Sequence, residues 1–290
     1  MACKGRLDRL RVCEASCCAG QGCIGCAELS TRTIIMTKAA FALLNARKNG
    51  GLVPPDALEA VTDLETAYRV QAEQLVLLGE SVSGWKIGAT SAAAKQVLGL
   101  DTAVFGPVAD GTVHEDASEV PLQPEQGNFI ESEFTVRLAK DLPEREEPYT
   151  FAEILDAIGS VQASFEVVTC RLQSGLAGAG NLVVADFGVN GGAVLGQPIA
   201  REHWENLSDI TVGLSVDGEQ AAEGSGAGTG WGHVFDAVAW LAAQQSKMAR
   251  PLKAGDLVMT GTCTGVLPIK PGQMLEADFD GLAAVSATFT

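Results

Sequence analysis

Positive charge is scarce in this sequence. Its 20 Lys and Arg stand against 36 Asp and Glu, a formal net charge of −16. A chain with that balance has no electropositive face to neutralise a phosphate backbone, so nucleic-acid binding is excluded as a function class. Long apolar runs are missing too. None approaches the roughly 18 residues that a membrane-spanning helix needs, so no membrane role is expected. Aromatic residues make up only 6%. The histidines are three, His114, His203 and His233, and they fall into no order that a hydrolytic triad would use. What is plentiful is apolar residues (47%) and glycine (33 of 290), which supports a sizeable core joined by tight turns.

Cysteine is absent from most of the chain and crowded at its start. Cys3, Cys13, Cys17, Cys18, Cys23 and Cys26 lie within residues 1 to 35, where five basic and three acidic residues give a net charge of +2. The remainder then carries −18. Cys23-x-x-Cys26 has a spacing that suits a soft metal, yet no second half with regular spacing follows. No apolar stretch of a secretory signal is present. Residues 1 to 35 are therefore expected to be a disordered cysteine-rich extension, with Met36 as the natural beginning of the folded chain. Cys170 and Cys263 stand alone, as expected in a reducing cytoplasm.

The body reads as a helical arm followed by strands. Thr37 to Asn49 has helical apolar spacing and ends at Gly50-Gly51, a C-cap signal. Pro54-Pro55-Asp56 predicts the start of a longer helix carried by Leu58, Val61, Leu64, Tyr68, Val70, Leu75 and Leu78. After Gly84 the texture changes. Trp85 to Gly88 is strand-like, Ser91 to Leu98 a short helix, and Phe129 to Leu138 alternates apolar with polar. A helix from Phe151 to Ile158 leads into a strand over Gln162 to Val168. Asp217-Gly218 and Asp280-Gly281 sit between alternating runs and predict hairpins. A last helix spans His233 to Met248, with Phe235, Val238, Ala239, Leu241 and Ala242 as its buried stripe. No βαβ rhythm repeats, so the predicted class is α+β, a mixed curved sheet or β-roll with an N-terminal helical arm. The expected boundaries are residues 36–83 for the arm and 84–290 for the catalytic domain.

Three features point to chemistry. Glu131-Ser132-Glu133 puts two carboxylates on one face of a strand, where they can share a hard divalent cation. The competing reading is the wet face of a half-buried strand. Glu166 follows Phe165 in a second apolar strand, where an unpaired carboxylate is costly, so the three together suggest a facial metal site, with Asp186 either an outer partner or a loop residue bonding its own backbone. Lys86 lies in an apolar strand that ends at Gly88. Beside a cation it would have a lowered pKa and exchange protons near neutrality; the plain alternative is a snorkelling edge lysine. Gly261-Thr262-Cys263-Thr264-Gly265 matches a nucleophile elbow superficially, but Val266 to Pro271 cannot start the required helix. A loop offering amides and hydroxyls to an anion fits better. The glycine-dense Gly224 to Gly230 fits no phosphate-binding motif.

In order, Gly84-Trp85-Lys86-Ile87-Gly88-Ala89-Thr90-Ser91, Ile130-Glu131-Ser132-Glu133-Phe134, Phe165-Glu166-Val167-Val168, Ala185-Asp186, Ala239-Trp240-Leu241-Ala242 and Lys253-Ala254-Gly255-Asp256 through Thr260-Gly261-Thr262 resemble the fumarylacetoacetate hydrolase superfamily. Within it the resemblance is to the 2-keto-4-pentenoate hydratases, and it covers Met36 to Thr290. It implies a β-roll-like fold, a homo-oligomer, and Mg²⁺ or Mn²⁺ held by Glu131, Glu133 and Glu166. It implies Lys86 as the catalytic residue, and Gly88, Thr90, Asp186 and Thr262 at the substrate. The implied reaction hydrates a small 2-hydroxydienoic acid. A 4-oxalocrotonate-type decarboxylase or an acylpyruvate C–C hydrolase would use the same site. A metal-stabilised scaffold, or a redox-sensing partner acting through the cysteine-rich head, is the non-enzymatic reading. Deletion of residues 1 to 35 separates these: catalysis should survive it, whereas stoichiometric zinc lost with the head would make the head functional.

Overall fold

A computed structural model describes residues 37–290; the reading of residues 1 to 35 as a disordered extension lies outside them. Helix α1 (Lys38–Asn49) starts where the Thr37 side chain accepts the Ala40 N–H, and it ends at Gly50 with φ +79°. The long helix predicted from Pro54 is broken in two. Pro55–Ala57 makes one 3-10 turn, and α2 (Leu64–Leu78) begins afresh where Asp63 accepts the Thr66 N–H at 2.8 Å. The cap signal in Thr62-Asp63 outweighed the apolar period, because Leu58 and Val61 are buried by the turn instead of by a helix face. Thr37 fastens the two helices together, donating both its N–H and its hydroxyl to Glu73.

The strands follow in order: β1 (Val82–Gly88), β2 (Val104–Ala109), β3 (Val113–Glu115), β4 (Ser118–Val120), β5 (Gly127–Leu138), β6 (Ile158–Cys170), β7 (Asn190–Ile199), β8 (Thr211–Val216), β9 (Glu219–Ser225), β10 (Leu257–Thr262), β11 (Leu267–Pro268), β12 (Met274–Phe279) and β13 (Ala283–Phe289). Between them lie α3 (Ala92–Leu98), α4 (Phe151–Ala157), α5 (Asn181–Ala185) and α6 (Val234–Lys247). One sheet runs β2-β1-β10-β5-β6-β7-β3 with β11 on β5, and a second runs β4-β13-β12-β8-β9. Pairing is mixed: β1 lies parallel to β10, and β5 antiparallel to β6 and β10. The predicted mixed, curved sheet is the architecture found. Both predicted hairpins form, with Asp217-Gly218 and Asp280-Gly281 at positive φ as a two-residue turn of matching twist requires.

Alternation divides the larger sheet into two unlike faces. Trp85, Ile87, Phe105, Ile130, Phe134, Phe165 and Val194 pack with α4, α6 and the second sheet in the main core. The α6 stripe includes Ala237, with Ala239 only half-buried, one position off the predicted pattern. The opposite face carries Lys86, Glu131, Glu133, Thr135, Ser164 and Glu166, which are cross-strand neighbours or one pleat apart. It is closed below by Val108, Ala193 and Met259. The polar face is thus the inner, concave side of the curved sheet, and Glu133 and Glu166 are completely buried on it.

The glycine-dense stretch has a packing reason. A Cβ at Gly224 would overlap the carbonyl oxygen of Cys263, and one at Gly228 would come within 2.6 Å of the same atom. The 263–265 loop therefore lies directly on backbone. Gly224→Ala should lower stability by about 1–3 kcal/mol, read as a lower urea midpoint at unchanged slope.

Candidate metal centre

Three strands deliver the site. Glu131 and Glu133 project from β5, and Glu166 from β6 is the cross-strand partner of Glu131. One carboxylate oxygen from each lies within 4.8 Å of the others. Oxygens that share one hard cation at about 2.0–2.6 Å lie within about 4–5 Å of one another, so the three are close enough to do so. The structure brings together the three glutamates singled out in the sequence, and Lys86 with them: its Nζ is 3.1 Å from Glu166 Oε1.

The hydrogen bonds leave particular atoms free. Glu133 Oε2 accepts the Gly261 N–H at 3.0 Å, while its Oε1 has no partner. Glu166 Oε1 accepts from Lys86 and from Asn190 Nδ2, while its Oε2 has none. Buried carboxylate oxygens without donors are expensive unless a cation takes them. Three ionised carboxylates and one ammonium would also leave two negative charges over, the complement of one divalent ion. An all-oxygen donor set of this kind suits Mg²⁺, Mn²⁺ or Ca²⁺.

Electrostatics without metal run against ionising all three acids. Burial, then the neighbouring Glu166 carboxylate, pushes Glu131 up to about 8. Burial and the same neighbours hold Glu133 well above the usual carboxylate range. Burial alone would lower Lys86, but attraction to Glu166, Glu131 and Glu133 outweighs it and raises its pKa. The lowered pKa expected for Lys86 presupposes a cation on the glutamates. Without one the lysine is an ammonium locked to Glu166.

Of the remaining predicted positions, Gly88 borders the ammonium: a Cβ there would be 3.1 Å from Lys86 Nζ. Gly188, at φ +63°, closes the other side, where a Cβ would be 2.9 Å from Lys86 Cε. Thr90 adjoins Gly261. Thr262 is the cross-strand partner of Glu133 and donates its hydroxyl to Gly265 O at 3.1 Å. Asp186 is held by two arginines. Its fully buried carboxylate is gripped by Arg171 Nη1 at 3.2 Å from both oxygens and by Arg47 Nη2 at 3.1 Å. Cys263 is buried, and desolvation followed by Glu133 drives its thiol well above the usual range. No helix follows it, so the elbow resemblance carries no nucleophile.

Sequence reading missed Arg47, Arg171, Asn190 and Gly188, whereas the Gly261 loop was read as offering amides to an anion and its amide is found on the Glu133 carboxylate. Arg47 meets Asp186 across 139 positions, a separation without local signature. Asn190-Gly191-Gly192, one residue after Phe187-Gly188, was the one available cue. Asparagine and glycine are common in turns, but here they mark backbone pressed against side chains.

The sequence model for the fumarylacetoacetate (FAA) hydrolase C-terminal family matches residues 80–290. Among curated proteins, the 2-keto-4-pentenoate hydratase of Paraburkholderia xenovorans is 32% identical over 261 residues, 87% of this chain and 94% of the relative. The 2-hydroxyhexa-2,4-dienoate hydratase of Comamonas testosteroni is 29% identical, covering 78% of this chain and 86% of the relative. Among solved structures, the 4-oxalocrotonate decarboxylase of Pseudomonas putida G7, complexed with magnesium and adipate, superposes with a TM-score of 0.78 at 26% identity. That match covers 88% of this chain and 97% of the other.

The raised carboxyl pKa values set a pH dependence. An unfolded glutamate releases its proton near 4.5, whereas folded Glu131 keeps it to about 8. Between these values the folded chain binds more protons, so the stability of metal-free protein falls as pH rises. Thermal unfolding in chelator should show Tm dropping from pH 5 to pH 8, with a flatter slope in Glu131→Gln. A Tm that climbs over this range would contradict the assignment.

Proposed function

The chain belongs to the fumarylacetoacetate hydrolase family, and on that footing we propose that it is a metal-dependent hydro-lyase. It adds water to 2-hydroxypenta-2,4-dienoate, or a related 2-hydroxydienoate, to give a 4-hydroxy-2-oxoacid in the meta-cleavage catabolism of aromatic compounds. The observation that carries this reading is the buried Glu131, Glu133 and Glu166 cluster with Lys86 on its rim. The hydratase names of the curated relatives support it.

In this assignment the three glutamates hold Mg²⁺ or Mn²⁺, Glu133 and Glu166 through the oxygens that lack donors. The bound ion would supply Lewis-acid polarisation of the substrate's carboxylate and 2-oxygen. Lys86 handles the protons. Ketonisation removes the 2-hydroxyl proton and returns one to carbon 5, leaving the 3,4 double bond conjugated to the ketone. Water then adds at carbon 4, and carbon 3 takes a proton. One water is consumed and nothing is released. Lys86 is the one cation among the groups that shift the glutamates, and Gly88 and Gly188 leave room for its ammonium. Its contact with Glu166 gives it a position from which to exchange protons with a substrate. Gly88, Thr90, Thr262 and Asp186 are the substrate contacts in this reading, with Asp186 held by Arg47 and Arg171. The catalytic unit is residues 84–290, with 36–83 as its arm. The protein works as a homo-oligomer in the cytoplasm on a small organic acid. Among the described residues no helix is long and apolar enough to cross a membrane.

A second reading has a specific observation behind it. The decarboxylase from Pseudomonas putida G7 shares the architecture at 26% identity, and a decarboxylase or an acylpyruvate C–C hydrolase would use the same oxoacid chemistry. A metal-supplemented assay with dienoate, oxalocrotonate and acylpyruvate, followed by ultraviolet loss of the dienol and product analysis, decides among them. Hydration of the dienoate, abolished by chelator, is expected. Carbon dioxide from oxalocrotonate as the fastest reaction would overturn the assignment.

Two substitutions test the roles. Glu133→Gln should remove most metal-dependent activity while leaving the fold intact. Lys86→Arg keeps the charge but cannot lose a proton near pH 7. Its kcat should fall about 10²-fold or more with metal affinity little changed. Near-normal kcat in a folded, metal-binding Lys86→Arg enzyme would end the proton-transfer role.

A further inference from the structure

A carboxylate on a flexible side chain has a broad, two-fold terminal torsion, so either oxygen can face a given direction. Glu166 is not free in this way. Lys86 Nζ and Asn190 Nδ2 both lie 3.1 Å from the same oxygen, Oε1, and Oε2 is left without a partner. The Asn190 amide also reaches Gly192 O at 3.4 Å.

Asn190 is itself held from behind. Its backbone carbonyl accepts from Arg47 Nη1 at 2.8 Å and from Arg171 Nη2 at 3.2 Å. Both guanidiniums close on the buried Asp186 carboxylate, and Arg47 also lies over the Phe187 ring at 4.3 Å. Arg47 comes from α1 and Arg171 from the residue after β6. A continuous set of contacts therefore runs from the N-terminal arm to one glutamate of the cluster.

We propose that Asn190 is a positioning residue of the metal centre. Together with Lys86 it holds Glu166 Oε1 and leaves Oε2 as the oxygen that faces the ion, while Arg47 and Arg171 hold Asn190 in place. The Asn190 amide donates to the same oxygen as Lys86 and is anchored through its own backbone carbonyl, so it fixes which oxygen of Glu166 is left free. The inference rests on the reading of the glutamates as metal ligands.

The test reads metal binding directly. Mn²⁺ is titrated into metal-free full-length protein, with bound ion followed by calorimetry and free ion by electron paramagnetic resonance. The samples are wild type, Glu133→Gln, Asn190→Ala and Arg47→Met, each checked for native circular dichroism and cooperative unfolding. Asn190→Ala leaves the backbone carbonyl for the arginines and removes only the amide. Its Mn²⁺ dissociation constant should rise about 10-fold or more, the scale seen when outer-shell partners of metal ligands are lost. Arg47→Met should shift it in the same direction. Wild-type affinity in folded Asn190→Ala overturns the positioning role. If that variant does not fold, wild-type affinity in folded Arg47→Met overturns it instead. Equal binding by wild type and Glu133→Gln would remove the triad reading and this inference with it, a result distinct from either.

Discussion

Everything about the site follows from burying three carboxylates against one ammonium. In water the arrangement would cost little, because solvent would screen the repulsion. Inside the hollow of the larger sheet it costs a great deal, and the protein answers in two ways. The Gly261 amide, Lys86 and Asn190 take one oxygen each from Glu133 and Glu166, and protonation relieves Glu131 and Glu133 in the metal-free state. Neither answer satisfies the remaining oxygens. The site is consequently built to prefer a state in which a doubly charged ion is present, and the stability of the hollow and its occupancy are two sides of one equilibrium.

The sheet makes this affordable by separating its two faces. One face is a conventional core of phenylalanine and branched aliphatic side chains packed on α4, α6 and the second sheet. The other is polar, yet equally dry. Thr135 and Ser164 share a hydrogen bond at 2.7 Å, and Ser164 donates onward to the Glu133 carbonyl, so the polar groups below the glutamates are satisfied without solvent. Charge is confined to the one level where Lys86 stands opposite the glutamates. A strand with a dry polar face cannot use alternation merely to separate core from water. Here alternation separates a packing surface from a reaction surface.

That doubling also explains what was legible in the sequence. The E-x-E spacing, the lysine between Trp85 and Ile87 and the isolated Glu166 could be read because each is a polar residue in an otherwise strand-like apolar run, and strand period alone places Glu131 and Glu133 on one face. Curvature of the sheet was readable from the absence of a βαβ rhythm. The helix from Pro54 was misjudged because apolar spacing persists through Leu58 and Val61, while the Asp63 cap, a local hydrogen bond, resets the helix. Asp186 was noticed, but its role was hidden. Whether a buried aspartate contacts a ligand or an arginine depends on where Arg47 and Arg171 come to lie, and that is decided by the tertiary fold. The role of Asn190 was hidden for the same reason, since its amide acts on Glu166, 24 positions away on the neighbouring strand.

The separation of 139 positions from Arg47 to Asp186 also has a consequence in time. At synthesis rates of about 5–20 residues per second, the first helix would wait roughly 7–28 s for its buried partner to emerge. The parallel pairing of Lys86 with Met259 waits longer still. Contacts so distant along the chain are reached late and slowly. During that interval Arg47 lacks the Asp186 carboxylate, and Lys86 lies in an edge without its neighbour. The nascent chain is therefore exposed to premature association until its last strands are made, and the completed centre is among the final features of the molecule to form.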